Sequence, residues 1–126
     1  MPKTILTSKS GKAIGPYSLG VAAGDYVFLS GQIPLDGATG KLVEGGIEAQ
    51  TEQVFANIKA LLDNAGVTIG QVVKATVFMT DLKEFAAMNA IYERHVPAPY
   101  PARSTIQVAG LPMGAKVEIE MIAWRG

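Results

Sequence analysis

The chain has 126 residues, 48% hydrophobic and 17% charged, and its eleven basic residues balance eleven acidic ones. That length fits a single domain over 1–126 that buries roughly two-thirds of its unfolded surface, and zero net charge argues against a nucleic-acid reader, which carries a basic excess. The absence of cysteine and the presence of one histidine exclude disulfides, thiolate nucleophiles and a histidine-based metal cluster.

No apolar run approaches the ~20 residues of a membrane helix, and the first residues lack a signal-peptide core. A cytoplasmic location is therefore expected. With so few charges for its surface, some apolar area is expected to be covered by partner subunits.

Only a short extended piece, around Thr4 to Thr7, is expected before residue 13. Tyr17–Ala23 and Tyr26–Ser30 then read as a hairpin, because Gly24-Asp25 supplies the positive φ of a two-residue turn. Gly31 is expected to end the second strand. From 32 to 46 the text is loop, punctuated by Pro34, Asp36-Gly37, Gly40 and Gly45-Gly46. Within it, Gly37-Ala38-Thr39-Gly40-Lys41 has the wrong spacing for a phosphate loop, and Leu42 stands where a magnesium-binding hydroxyl is needed. It reads as a plain turn.

Ile47–Ala65 is the clearest helix. Ile47, Val54, Ile58, Leu61, Leu62 and Ala65 share a face, Gln50, Gln53, Asn57 and Asp63 lie away from its centre, and Gly66 offers a left-handed stop. Val72–Thr80 reads as a strand with Val73, Ala75, Val77 and Met79 on one face and Lys74, Thr76 and Phe78 on the other. Leu82–Val96 reads as a second helix, with Asp81 as N-cap, Glu84 completing a capping box, and a stripe of Leu82, Phe85, Ala86, Asn89, Tyr92 and Val96. Arg103–Ala109 and Lys116–Trp124 are the closing strands.

The expected fold is therefore α+β, in the order β-β-α-β-α-β-β. One mixed sheet carries both helices on one face, since two right-handed crossovers place them together. The other face then needs cover, and a neighbouring subunit is the simplest.

Three alternating prolines, Pro97, Pro99 and Pro101, lead into Arg103. Proline fixes its own φ and restricts the residue before it, so the backbone that delivers Arg103 is stiff. A guanidinium fork matches a carboxylate or a phosphate. Glu118 lies on the strand after Arg103; if the two strands pair, its carboxylate could reach the same pocket and activate a water. A plain solvated strand charge is the alternative. Asn89, polar in an apolar stripe, is either satisfied by backbone or lines a cavity. Tyr17, following Gly15-Pro16, is read as packing. Ser30-Gly31 lacks a nucleophile elbow, and His95 has no triad partner and suits a helix C-terminus, so a serine hydrolase is rejected.

Several blocks together resemble the RidA (YjgF) family of reactive-intermediate deaminases. They are Ile14-Gly15-Pro16-Tyr17-Ser18, Ser30-Gly31-Gln32-Ile33-Pro34, Thr76 to Leu82, Phe85 to Tyr92, Pro101-Ala102-Arg103-Ser104 and Val117-Glu118-Ile119-Glu120. The resemblance implies a chorismate-mutase-like fold and a homotrimer with a site in each cleft between subunits. It also implies hydrolysis of 2-enamino and 2-imino acids, such as 2-aminoacrylate and 2-iminobutyrate, to 2-oxo acids and ammonia, with no cofactor and no metal.

On that resemblance, Arg103 holds the substrate carboxylate and Glu118 acts on the attacking water. Ser30, Gly31 and Thr105 fix polar atoms, and Tyr17, Phe85 and Asn89 wall the cleft. Many family members carry cysteine where this chain has Thr105. The rival readings are a non-catalytic trimer that binds small carboxylates in a regulatory role, and RNA cleavage, which the neutral charge and the lack of a general-base histidine near the arginine disfavour.

Overall fold

The computed structural model describes residues 3–8 and 12–126; the expectation for the first residues extends to Met1, Pro2 and 9–11, which lie outside the described residues. Six strands, β1 (Thr4–Leu6), β2 (Gly20–Ala23), β3 (Tyr26–Gln32), β6 (Val72–Met79), β7 (Ala102–Gln107) and β8 (Val117–Trp124), form one mixed sheet in the order β1-β2-β3-β8-β6-β7. Two short strands, β4 (Leu35–Asp36) and β5 (Lys41–Leu42), make a separate hairpin inside the expected loop. The Asp36 carboxylate and carbonyl accept from the Ala38 and Gly40 amides at 2.8 Å, so this segment is a turn, as expected.

The helix α1 (Ile47–Ala65) has the expected bounds, and it stops at Gly66, whose φ is +73°. Ile47, Val54, Ile58, Leu61 and Leu62 are buried, each worth about 1.5–3 kcal/mol in removed apolar surface. Three residues correct the expected pattern. Phe55 is fully buried because α2 (Phe85–His95) covers that flank. Gln50 and Asn57 are buried too, because the loops lie over them: Gln50 accepts from the Lys116 amide, and Asn57 donates to the carbonyls of Ile33 and Leu35.

The second helix starts later than expected. Leu82–Glu84 forms a separate 3-10 turn, capped by Asp81 through the Lys83 amide at 2.9 Å. Glu84 pairs with Lys116 instead of closing a capping box. Because of this turn the buried stripe of α2 is Met88, Ile91 and Tyr92, continuing to Val96, while Leu82 and Ala86 are exposed.

Register places every strand residue on a face. Leu6, Gly20, Leu29, Met121, Ala75 and Arg103 stand abreast across the whole sheet, and this row faces the helices. The next row along, Ile5, Val21, Phe28 and Ile122, faces away from them. In β6 a shift of register between Val72 and Lys74 turns Val73 outward, 43% exposed, and buries Val72 in its place. The helix-free face keeps large apolar side chains in the open, with Phe28 44% and Trp124 50% exposed.

The last two strands do not pair with each other. β7 runs parallel to β6 at the sheet edge, and β8 lies on the far side of β6, antiparallel to it.

Candidate active site

Arg103 is the second residue of β7 and pairs with Ala75, so its side chain rises on the helix side at the open edge of the sheet. Helix α2 passes over that edge. Asn89 accepts from Arg103 Nη1 at 2.8 Å, the Tyr92 ring lies 4.6 Å from the guanidinium carbon, and the Phe85 ring lies 5.6 Å away. Asn89, Tyr92, Glu93, Tyr100, Pro101 and Arg103 line a cleft of about 430 Å³. Asn89 therefore lines a cavity and meets a side chain, not the backbone. Thr105, two residues along the same face, has a buried hydroxyl with no hydrogen-bond partner among the described residues. The Tyr92 hydroxyl is likewise buried, and no well-aligned hydrogen-bond partner meets it among the described residues. Burial pushes the Tyr92 phenol above its ordinary value, and Arg103, by its charge and its closeness to the hydroxyl, partly offsets that rise.

Glu118 does not share this pocket within one chain. It pairs with Phe78 on β6 and faces the helix-free side, whereas Arg103 and its cluster face the helices. The expectation that Glu118 reaches the Arg103 pocket assumes that their strands pair; β6 separates them, and the period-2 alternation of β8 turns Glu118 to the opposite face. Its surroundings are nonetheless distinctive. Burial pushes the Glu118 carboxyl above the usual carboxylate range, and the neighbouring Glu120 charge raises it further. The carboxylate lies directly against Gly31: a Cβ there would be 2.7 Å from Glu118 Cδ and closer still to Oε2.

Gly31 sits in an irregularity of β3, between the pairs Leu29–Met121 and Gln32–Ile119, so the strand passes through Gly31 and does not end there. Ser30 uses its hydroxyl to hold the Ser18 carbonyl at 2.6 Å, and its amide bonds Leu19. That latch fixes the segment carrying Tyr17. Tyr17 is not on a strand, because β2 begins only at Gly20; it is 52% exposed and lines a small cavity with Gly31. His95 pairs with Glu52 and stacks on Phe55, which fits its structural reading.

One chain thus carries two separate groups. Arg103, Asn89, Phe85 and Thr105 gather at the β7 edge under α2. Glu118, Gly31, Ser30 and Tyr17 gather around β3 and β8. Tyr92, expected only as core, is the residue of the first group that sequence reasoning passed over. The signal was its place three residues after Asn89, one helical turn along the same stripe. Among the described residues, no three His, Asp or Glu side chains cluster as a metal ion would need, and no helix is long and apolar enough to cross a membrane.

The chain matches the family described as Endoribonuclease L-PSP over residues 7–125. A 2-iminobutanoate/2-iminopropanoate deaminase of Salmonella typhimurium is 48% identical over 99% of both chains. Among solved structures, a Thermotoga maritima protein described as an endoribonuclease superposes with a TM-score of 0.94 at 44% identity, covering 98% of each chain. The E. coli TdcF structure with bound serine superposes with a TM-score of 0.91 at 41% identity, covering 98% of this chain and 99% of that one.

Proposed function

Because the chain belongs to the Endoribonuclease L-PSP family, which includes RidA (YjgF), we propose that it hydrolyses reactive 2-imino and 2-enamino acids to 2-oxo acids and ammonia, acting in the cytoplasm as a homotrimer. The observation that carries this reading is the presentation of Arg103. One side of its guanidinium is held by Asn89, one face rests on Tyr92, and the group borders an open cleft. A planar fork restrained in this way suits a carboxylate, which accepts two parallel hydrogen bonds. The serine bound to TdcF is a small amino acid with the same carboxylate, and the Salmonella relative is named for two imino acids.

In this reading Arg103 fixes the substrate carboxylate and so orients the adjacent C=N carbon. Glu118 holds the attacking water by a hydrogen bond and takes one of its protons as the C–O bond forms to the protonated imine, giving a neutral carbinolamine. The protonated Glu118 returns that proton to nitrogen. As the C–N bond breaks, Glu118 takes the hydroxyl proton, the C=O bond of the 2-oxo acid forms and ammonia leaves; Glu118 then releases its proton to ammonia or solvent. A carboxyl raised by burial is a stronger base than a solvated one, which suits a group that must accept a proton and return it. Gly31 leaves room for that carboxylate, and Tyr17, Phe85 and Thr105 wall the substrate. A water held beside an oriented imine supplies much of the acceleration such an electrophile needs. Since Arg103 and Glu118 lie on opposite faces of one sheet, the site in this reading forms between subunits, Arg103 from one and Glu118 from the next. The exposed apolar side chains of the helix-free face support such an assembly.

The test is an assay that generates 2-iminobutanoate with a threonine dehydratase and follows its hydrolysis. The wild-type protein is expected to turn it over, and Arg103→Ala to lose at least roughly 10²-fold in kcat/KM, the scale of removing one key electrostatic partner. Wild-type protein that binds 2-oxobutanoate without turnover indicates a regulatory carboxylate binder. RNA cleavage by wild-type protein that Arg103→Ala leaves unchanged would contradict the deaminase reading.

A further inference from the structure

We propose that Tyr92 is a positioning residue that sets carboxylate affinity by holding the plane of the Arg103 guanidinium; this rests on the carboxylate-binding reading above. Arginine is a long side chain with many rotamers, so a free guanidinium at a sheet edge would lose conformational entropy when a ligand orders it. Here two contacts order it beforehand. Asn89 fixes one nitrogen, which leaves rotation of the fork about that bond. The Tyr92 ring, 4.6 Å from the guanidinium carbon and nearer than Phe85, removes that freedom.

The platform is itself held. Tyr92 is 6% exposed, and Phe55 of α1 meets its ring at 5.6 Å with planes 77° apart. Phe55 is stacked in turn by His95, with centroids 4.6 Å apart. The column His95–Phe55–Tyr92–Arg103 thus ties the arginine to both helices. The ring carries this contact: the Tyr92 hydroxyl lies near Arg103 but makes no hydrogen bond of good geometry among the described residues.

Calorimetric titration of the full chain with 2-oxobutanoate, together with kcat and KM for 2-iminobutanoate, tests this. Tyr92→Phe keeps the ring and is expected to stay within about 2-fold of wild type in Kd and KM. Tyr92→Leu is expected to raise both by about 5-fold or more, the scale of one cation–π contact, while kcat changes less than about 2-fold. A merely structural role would lower the active fraction and so kcat, leaving KM in place. Tyr92→Leu with wild-type Kd and KM, or Tyr92→Phe as weak as Tyr92→Leu, would overturn the proposal. If Tyr92→Leu does not fold, Tyr92→Met, a flexible apolar filler, replaces it with the same expectations. Wild-type protein that fails to bind 2-oxobutanoate overturns the underlying reading, and the proposal with it.

Discussion

Arg103 and Glu118 sit in opposite environments. The arginine is held open by Asn89 and Tyr92, and the carboxyl is pushed toward its neutral form by burial and by Glu120. The folded state therefore holds the Glu118 proton more tightly than the unfolded chain does. Its ionised form costs stability at pH values above the raised folded value, and that cost disappears as pH falls below the ordinary carboxylate value. Glu118→Gln, which removes the charge, is expected to melt higher than wild type at pH 8, with the difference gone near pH 4; thermal melts at the two values check this, and an equal gap at both would contradict the burial account. The same variant is expected to lose turnover while keeping its affinity for 2-oxobutanoate. At this scale the sequence was informative about residue type. The proline lead-in marked Arg103, and Asn89 stood out as a polar member of an apolar stripe. Tyr92 was hidden because a ring that packs a core and a ring that carries a guanidinium look alike in sequence.

Among the elements, those fixed by local physics were legible. The periodicity of α1 and its Gly66 stop gave both bounds, and Gly24 gave the first hairpin, with φ of +57°. What depended on non-local pairing was not. Nothing near β7 or β8 in sequence reveals that β6 lies between them, and the buried amides of α1 are explained only by loops that return from elsewhere. In the proposed mechanism the irregularity at Ser30–Gly31 matters most, because it brings bare backbone against Glu118. The Gly31 φ is not in the left-handed region, so Gly31→Ala creates no backbone strain there. The added methyl instead displaces the end of a flexible side chain. Turnover is expected to fall by about 10-fold or more, while stability changes by less than about 1 kcal/mol. A variant with normal rates would show that the placement of Glu118 beside Gly31 is unimportant.

For the molecule as a whole, the expected α+β layout and its single helix-covered face agree with the structure, while the assembly remains the proposal that gives the layout its purpose. A row such as Ile5, Val21, Phe28 and Ile122 makes an apolar stripe across a sheet face that no helix covers among the described residues. The two residue groups that a common mechanism requires lie on opposite sides of that sheet. Closed rotational symmetry resolves both facts, because each boundary then covers apolar surface and joins the Arg103 group of one subunit to the Glu118 group of the next. The most direct test unfolds Arg103→Ala and Glu118→Gln chains together, refolds them as an equal mixture, and measures imine hydrolysis. Each variant alone is expected to be nearly inactive. Random mixing leaves about one boundary in four with both native residues, so activity should return to about a quarter of the wild-type value. A mixture confirmed to contain mixed oligomers yet no more active than its parents would contradict a site shared between subunits.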